Sequence, residues 1–169
     1  RDRKDAGATA LASFLEERWA GAAGDDERRR AIAAMGNAGA EENEGLVVGA
    51  MESRDEAERA GAATALRHMR GPRAEETLVT ALSADASVEV RCRAAASLKG
   101  RTSARATGAL RQAATGGDDE VRVAAIQSFG DAVRTDPSTH DFLAAIAIDT
   151  TQPRAVRKAA FQALGVRDE

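Results

Sequence analysis

One arginine-led octet, met five times, constrains this chain more than any other feature. Arg122-Val123-Ala124-Ala125-Ile126-Gln127-Ser128-Phe129 sets the register, and Arg28, Arg59, Arg91 and Arg157 open the other copies. Three residues on stands alanine each time: Ala31, Ala62, Ala94, Ala125 and Ala160. Six residues on the side chain is small (Ala34, Ala65, Ser97, Ser128, Ala163), and seven on it is large and apolar (Met35, Leu66, Leu98, Phe129, Leu164). The arginines lie 31, 32, 31 and 35 residues apart, the period of a helical repeat array.

The pattern has a direct physical reading. On a helix, positions +3, +4 and +7 share one face, and Ile32, Ala63, Ala95, Ile126 and Phe161 complete that apolar stripe at +4. The small residues at +3 and +6 let a neighbouring helix approach to the short end of the roughly 8–10 Å interaxial range. An arginine at a helix start is disfavoured by the macrodipole, so it requires a specific acceptor. Asp55, Asp85, Asp118 and Asp119, in the turns between helices, are the expected ones. The five arginines then form a structural ladder, a more economical reading than a row of anion-binding cations.

Composition narrows the class. Apolar residues make up 43% of the 169 positions but aromatics only 3%, with no tyrosine. The core must come from Ala, Leu, Val and Ile at close spacing. A net charge of −3 argues against a general nucleic-acid binder, which carries a basic excess. The single cysteine, Cys92, excludes an internal disulfide and a cysteine-based zinc site. No apolar run reaches the roughly 18 residues of a membrane span. The chain begins at Arg1, so it is expected to be a segment of a larger protein.

Along the chain, residues 1–24 read as an N-terminal capping helix and 25–169 as the repeat array. In the cap, Leu11, Phe14, Leu15, Arg18 and Trp19 share a face from about Asp5 to Ala22. The repeated helices are expected at Asp26–Met35, Asp55–Met69, Val88–Lys99, Asp119–Val133 and from Pro153 to near Gly165. Gly36-Asn37-Ala38-Gly39 is expected to end the first. Partner helices are expected at Glu41–Met51, Ala74–Leu82, 103–114 and from Asp136-Pro137 onward. Val47, Val48 and Met51 match Leu78, Val79 and Leu82 at an offset of 31, so both helices of the hairpin repeat. Ser53-Arg54-Asp55-Glu56 reads as a capping box. The position before the arginine is Val90, Val121 and Val156 in the last three copies but Glu27 and Glu58 in the first two. Those glutamates are expected to reach solvent or to loosen packing.

An Arg-x-x-Ala-x-x-Ala-Leu helix after an acidic turn, paired with a Leu/Val-rich helix, resembles the HEAT-repeat family, nearest the bacterial PBS-lyase HEAT-like type. The resemblance covers about residues 25–166. It implies an all-α, right-handed α-α superhelix of about five hairpins whose second helices line a concave, usually protein-binding, surface. Two stretches, "AIAAMGNAG" (31–39) and 120–164, also look like the helical domain of vitellogenin-type lipid transfer proteins. That likeness implies a lipid-handling scaffold as the alternative.

No catalytic, cofactor or metal site is expected. His68 and His140 fall more than two repeats apart, too far to share a metal in a linear stack. Cys92 has no histidine at a neighbouring repeat position to activate it. The acids Glu41, Glu42, Glu44, Asp118, Asp119 and Glu120 open helices and suit their dipoles. HEAT-like glycosylases and bilin lyases resemble this architecture, but the basic or aromatic surfaces they imply are missing here. The leading expectation is a non-enzymatic scaffold that binds a protein, or another part of its own longer chain, through the concave face. A HEAT-type enzyme accessory domain is third. Positions +1, +5 and +8 contribute a polar and basic strip, Arg29, Arg67, Lys99, Gln127, Lys158 and Gln162, that calls for an acidic partner surface.

Overall fold

Ten-residue helices are what the repeated register builds. The computed structural model describes residues 2–39, 41–130 and 132–165, and among these no strand occurs. The last four residues of the expected array, 166–169, lie outside the described residues. The contacts divide the chain into two compact units, Arg1–Ala81 and Leu82–Glu169.

In the first unit, α1 (Asp2–Ala20) packs on α2 (Asp25–Ala38), and α2 packs on α4 (Glu56–Ala65). Between them lie a 3-10 turn at Glu41–Asn43 and the short α3 (Glu44–Ala50). A second 3-10 turn, Leu66–His68, follows α4, and α5 begins at Pro72 and runs to Ala84, across the division between the units. Proline there loses nothing, since the first helical amide has no intrahelical acceptor.

The second unit holds α6 (Val88–Ser97), α7 (Ala104–Thr115), α8 (Asp119–Ser128), the one-turn α9 (Ala132–Thr135), α10 (Pro137–Ile148) and α11 (Arg154–Ala163). Helix α8 is its centre and packs against α6, α7 and α11, while α10 packs on α11. Caps set the starts: Ser87 accepts from the amide of Val90 at 3.3 Å, Ser103 from Ala106 at 3.0 Å, and Asp136 from Ser138 at 3.0 Å. Each such cap contributes about 1 kcal/mol.

The apolar stripe is the core. All five +3 alanines are buried, as are Ile32, Ala63, Ala95 and Ile126 at +4 and Met35, Leu66, Leu98 and Phe129 at +7. In α11 the stripe is thinner, with Phe161 and Leu164 half-buried. From α4 onward the repeated helices stop at +6, so the large +7 residue lies just past the helix and closes its end.

Several boundaries differ from expectation for identifiable reasons. Helix α2 does not stop at Gly36 but runs to Ala38, and Gly39, at φ 59°, ends it. Gly36 is a crossing point instead: a β-carbon there would lie 2.5 Å from the Cα of Ala65. The expected helix 119–133 breaks at Gly130, whose φ is 51°. Asp55, not Ser53, caps α4 by accepting from Ala57 at 3.0 Å. Ser53 instead donates its hydroxyl to Glu58 at 2.6 Å, and Glu58 is buried rather than solvated. On α1 the buried residues are Ala12 and Leu15, whereas Leu11 and Phe14 are exposed.

Candidate functional site

The expected ladder is only partly formed among the described residues: the guanidinium groups of Arg59, Arg91 and Arg122 find hydrogen-bond acceptors, whereas no such bond is seen for those of Arg28 or Arg157. Arg28 is exposed, its guanidinium 5.4 Å from the centre of the Trp19 ring. Its neighbour Arg29 makes the longer reach, to Asp55, 26 residues on, while also pairing with Asp26. The hydrogen bonds it donates to Asp26 first, then to Asp55, hold that guanidinium above its ordinary range. Arg59 donates to the carbonyls of Ser53 at 3.0 Å and Arg54 at 3.4 Å.

In the second unit, Arg91 donates to the Asp85 carbonyl and, at 2.6 Å, to the Asp118 carboxylate, 27 residues on. Arg122 is buried. It bonds the Ala114 carbonyl at 3.3 Å, Asp119 at 3.2 Å and Gln152, 30 residues on. Arg157 is half-buried, and its Nε has no hydrogen-bond partner among the described residues. The four expected acids thus each receive an arginine: Asp55 from Arg29, Asp85 through its carbonyl and Asp118 from Arg91, and Asp119 from Arg122.

Other inter-repeat bonds escaped the sequence reading. Glu44 accepts from the Ala74 amide at 3.0 Å and Glu41 from the Arg70 amide at 3.4 Å. These acids open their own helical turns and also accept from amides at, and just before, the first turn of α5. Arg111 bonds Ser138 at 2.8 Å and Thr139 at 3.1 Å, and lies 5.0 Å from the centre of the Phe142 ring. The available signal was spacing: each pair is separated by about one repeat, 27 to 30 residues.

The residues of the expected strip differ in their engagement. In the first unit Arg67 is exposed, whereas Arg29 is half-buried and engaged by its two aspartates. In the second unit Lys99, Gln127, Lys158 and Gln162 are all exposed. Among the described residues, neither lysine makes a hydrogen bond or ion pair. Lys99 lays its aliphatic stem toward the turn after α8, its Cε 3.3 Å from where a β-carbon of Gly130 would stand.

Two open hollows lie on the surface. One, of about 240 Å³, is lined by Phe14, Glu17, Arg18, Gly21 and Glu27. The other, of about 450 Å³, is lined by Val133, Arg134, Pro137, His140, Asp141 and Leu164. The His140 Nδ1 lies 3.5 Å from Asp141, and among the described residues no hydroxyl or thiol lines either hollow. His68 falls in the first unit and His140 in the second. Among the described residues no three His, Cys, Asp or Glu side chains gather as a metal would need. Cys92 is half-buried, and burial first, then Glu120 and Glu89, pushes its thiol up. Among the described residues no helix is long and apolar enough to cross a membrane.

The family model for HEAT repeats matches residues 75–165. This chain belongs to the HEAT-repeat family. The match includes the arginines of α6, α8 and α11 with the helices that follow α6 and α8. Among solved structures, the HEAT-repeat chain is similar to one in the structure of the complex of CpcE and CpcF of phycocyanin lyase from Nostoc sp. PCC7120. The TM-score is 0.67 at 19% identity, over 94% of this chain and 98% of that one. At that identity the likeness is one of fold, an all-α HEAT-like solenoid. No curated protein sequence matches the chain.

Proposed function

We propose that this chain is a non-enzymatic HEAT-repeat scaffold that binds another protein, or another part of its own longer chain, and that in the second unit it does so through Lys99, Gln127, Lys158 and Gln162. The observation that carries the reading is the division of labour among cations in the second unit. Arg91, Arg111 and Arg122 are spent on bonds between helices. Lys99 and Lys158 are exposed and engage nothing within the described chain. A fold that ties its layers together with guanidinium forks and leaves its ammonium groups free has cations available for a partner. The fold neighbour comes from a complex of two chains, which supports a protein as that partner.

The test is charge reversal. Lys99→Glu and Lys158→Glu, alone and together, are compared with the wild type for affinity to a partner captured by the unmodified chain. Binding should weaken about tenfold or more in the double variant, and the wild-type association rate should fall as salt rises. Unchanged affinity in the double variant would remove the strip as the binding face.

A second reading has one observation behind it: the neighbour belongs to a lyase. On that reading this chain is one subunit of a two-chain enzyme. Incubating the captured pair with phycocyanin, and following its visible absorption against each chain alone, tests it. A change seen only with the pair would replace the scaffold reading.

A further inference from the structure

We infer that the partner segment seated on the second unit is an acidic α-helix, with carboxylates two to three turns apart, lying obliquely across α6, α8 and α11. The inference rests on the binding reading above and names the partner's chemistry. Helix α8 packs between α6 and α11, so their outward positions form three rows. At +1 stand Cys92, Val123 and Lys158; at +5, Ala96, Gln127 and Gln162; at +8, Lys99, Gly130 and Gly165. The lysines occupy opposite corners. The floor between them is low, since Ala96 and Gly130 are small and half-buried.

Charge follows the same diagonal. Glu89 pairs with Arg93 at 2.6 Å, and Glu89 and Glu120, together with Arg91 and Arg93, lie close enough to Cys92 to act on its thiol. The acids of this face therefore border the Cys92 corner. Among the described residues, neither Lys99 nor Lys158 is ion-paired, so the diagonal ends on two free ammonium groups.

The spacing comes from helix geometry. Lys99 already leans over Gly130, so its ammonium stands above the end of α8. From there Lys158 is one helix across and seven positions back along the axis. With a roughly 9 Å interaxial spacing and a 1.5 Å rise, the two are roughly 14 Å apart. Same-face positions on a helix that bracket this span are seven and eleven residues apart, roughly 10 and 16 Å. An extended segment fits less well. The face is made of helix side chains and offers no free row of backbone groups, whereas a helix satisfies its own amides and carbonyls.

The sequence contains three lysines, Lys4, Lys99 and Lys158, which makes zero-length carbodiimide coupling a clean test on the whole chain. The probes are N-acetylated alanine–glutamine helical peptides bearing one glutamate pair spaced four, seven, eleven or eighteen residues apart. Coupling sites are mapped by mass spectrometry, with Lys4 as the internal control. The expected result is a doubly linked product at Lys99 and Lys158 for spacings seven and eleven. It should exceed the yield for four and eighteen by about tenfold and vanish in Lys99→Gln. Equal yields at all spacings, or coupling to Lys4 as frequent as to the other two, would overturn the inference. If that occurs while the charge-reversal variants still lose the captured partner, the scaffold reading stands and only the helical assignment falls.

Discussion

A β-carbon added to Gly36 would stand 2.5 Å from the Cα of Ala65 and 2.6 Å from its Cβ. Here α2 meets α4 with backbone almost against backbone. Because the obstructing atoms belong to the main chain, nothing flexible can yield. Gly36→Ala should therefore destabilise the fold by about 1–3 kcal/mol, as overpacking does. Gly108, exposed within α7 with nothing near its added β-carbon, is the opposite case. There the same substitution should stabilise by about 0.5–1 kcal/mol through helix propensity. Urea denaturation of the two variants checks the contrast in sign.

The repeated arginines should not be equivalent. Arg122→Ala leaves the Ala114 carbonyl and Gln152 without their donor in a buried setting and should cost about 2 kcal/mol. Arg28→Ala removes only an exposed contact with Trp19 and should cost about 0.5 kcal/mol or less. The same denaturation series would show both, and equal losses would contradict the assigned roles.

Two capping aspartates give the fold an acid dependence. Thr139 first, with Ser138, holds the Asp136 carboxyl below its ordinary value of 3.8. Thr151, then Gln152, does the same for Asp149. A carboxyl that titrates lower in the folded chain contributes stability that is complete above its unfolded value. That contribution is lost as pH falls through the folded value. Denaturation midpoints should thus decline below about pH 4. Asp136→Asn, which keeps an oxygen acceptor for the cap but no titrating group, should flatten that decline.

The Cys92 thiol, raised chiefly by burial, should react slowly with a disulfide reagent. Its rate in the folded chain should keep rising beyond pH 9, where an ordinary thiol, at 9.0, has begun to level off. Unfolding in urea should restore the ordinary profile. A folded-state rate that levels off at or below pH 9 would show the thiol to be unshielded.

Much of the fold was legible in the residues. The alanine and large-apolar positions of the octet named the core, and the expected starts at Val88 and Asp119 are those of α6 and α8. The candidate face was legible only in part. Lys99, Gln127, Lys158 and Gln162 are exposed as their positions required, but Arg29 is engaged with Asp26 and Asp55. No count along one helix could tell Arg28 from Arg29, because the acceptor that distinguishes them belongs to the next repeat.

By itself, then, the chain's order of residues determined that helices of one register would stack, since the period and the face are properties of a single helix. What the tertiary structure alone decided is which polar groups meet. Gly36 lies inside a helix because α4 crosses there, Glu58 is buried because Ser53 answers it, and Glu44 serves an amide 30 residues away. Each depends on the position of a second element to within a fraction of an ångström, and hydrogen bonds and hard contacts are sensitive to distance on that scale.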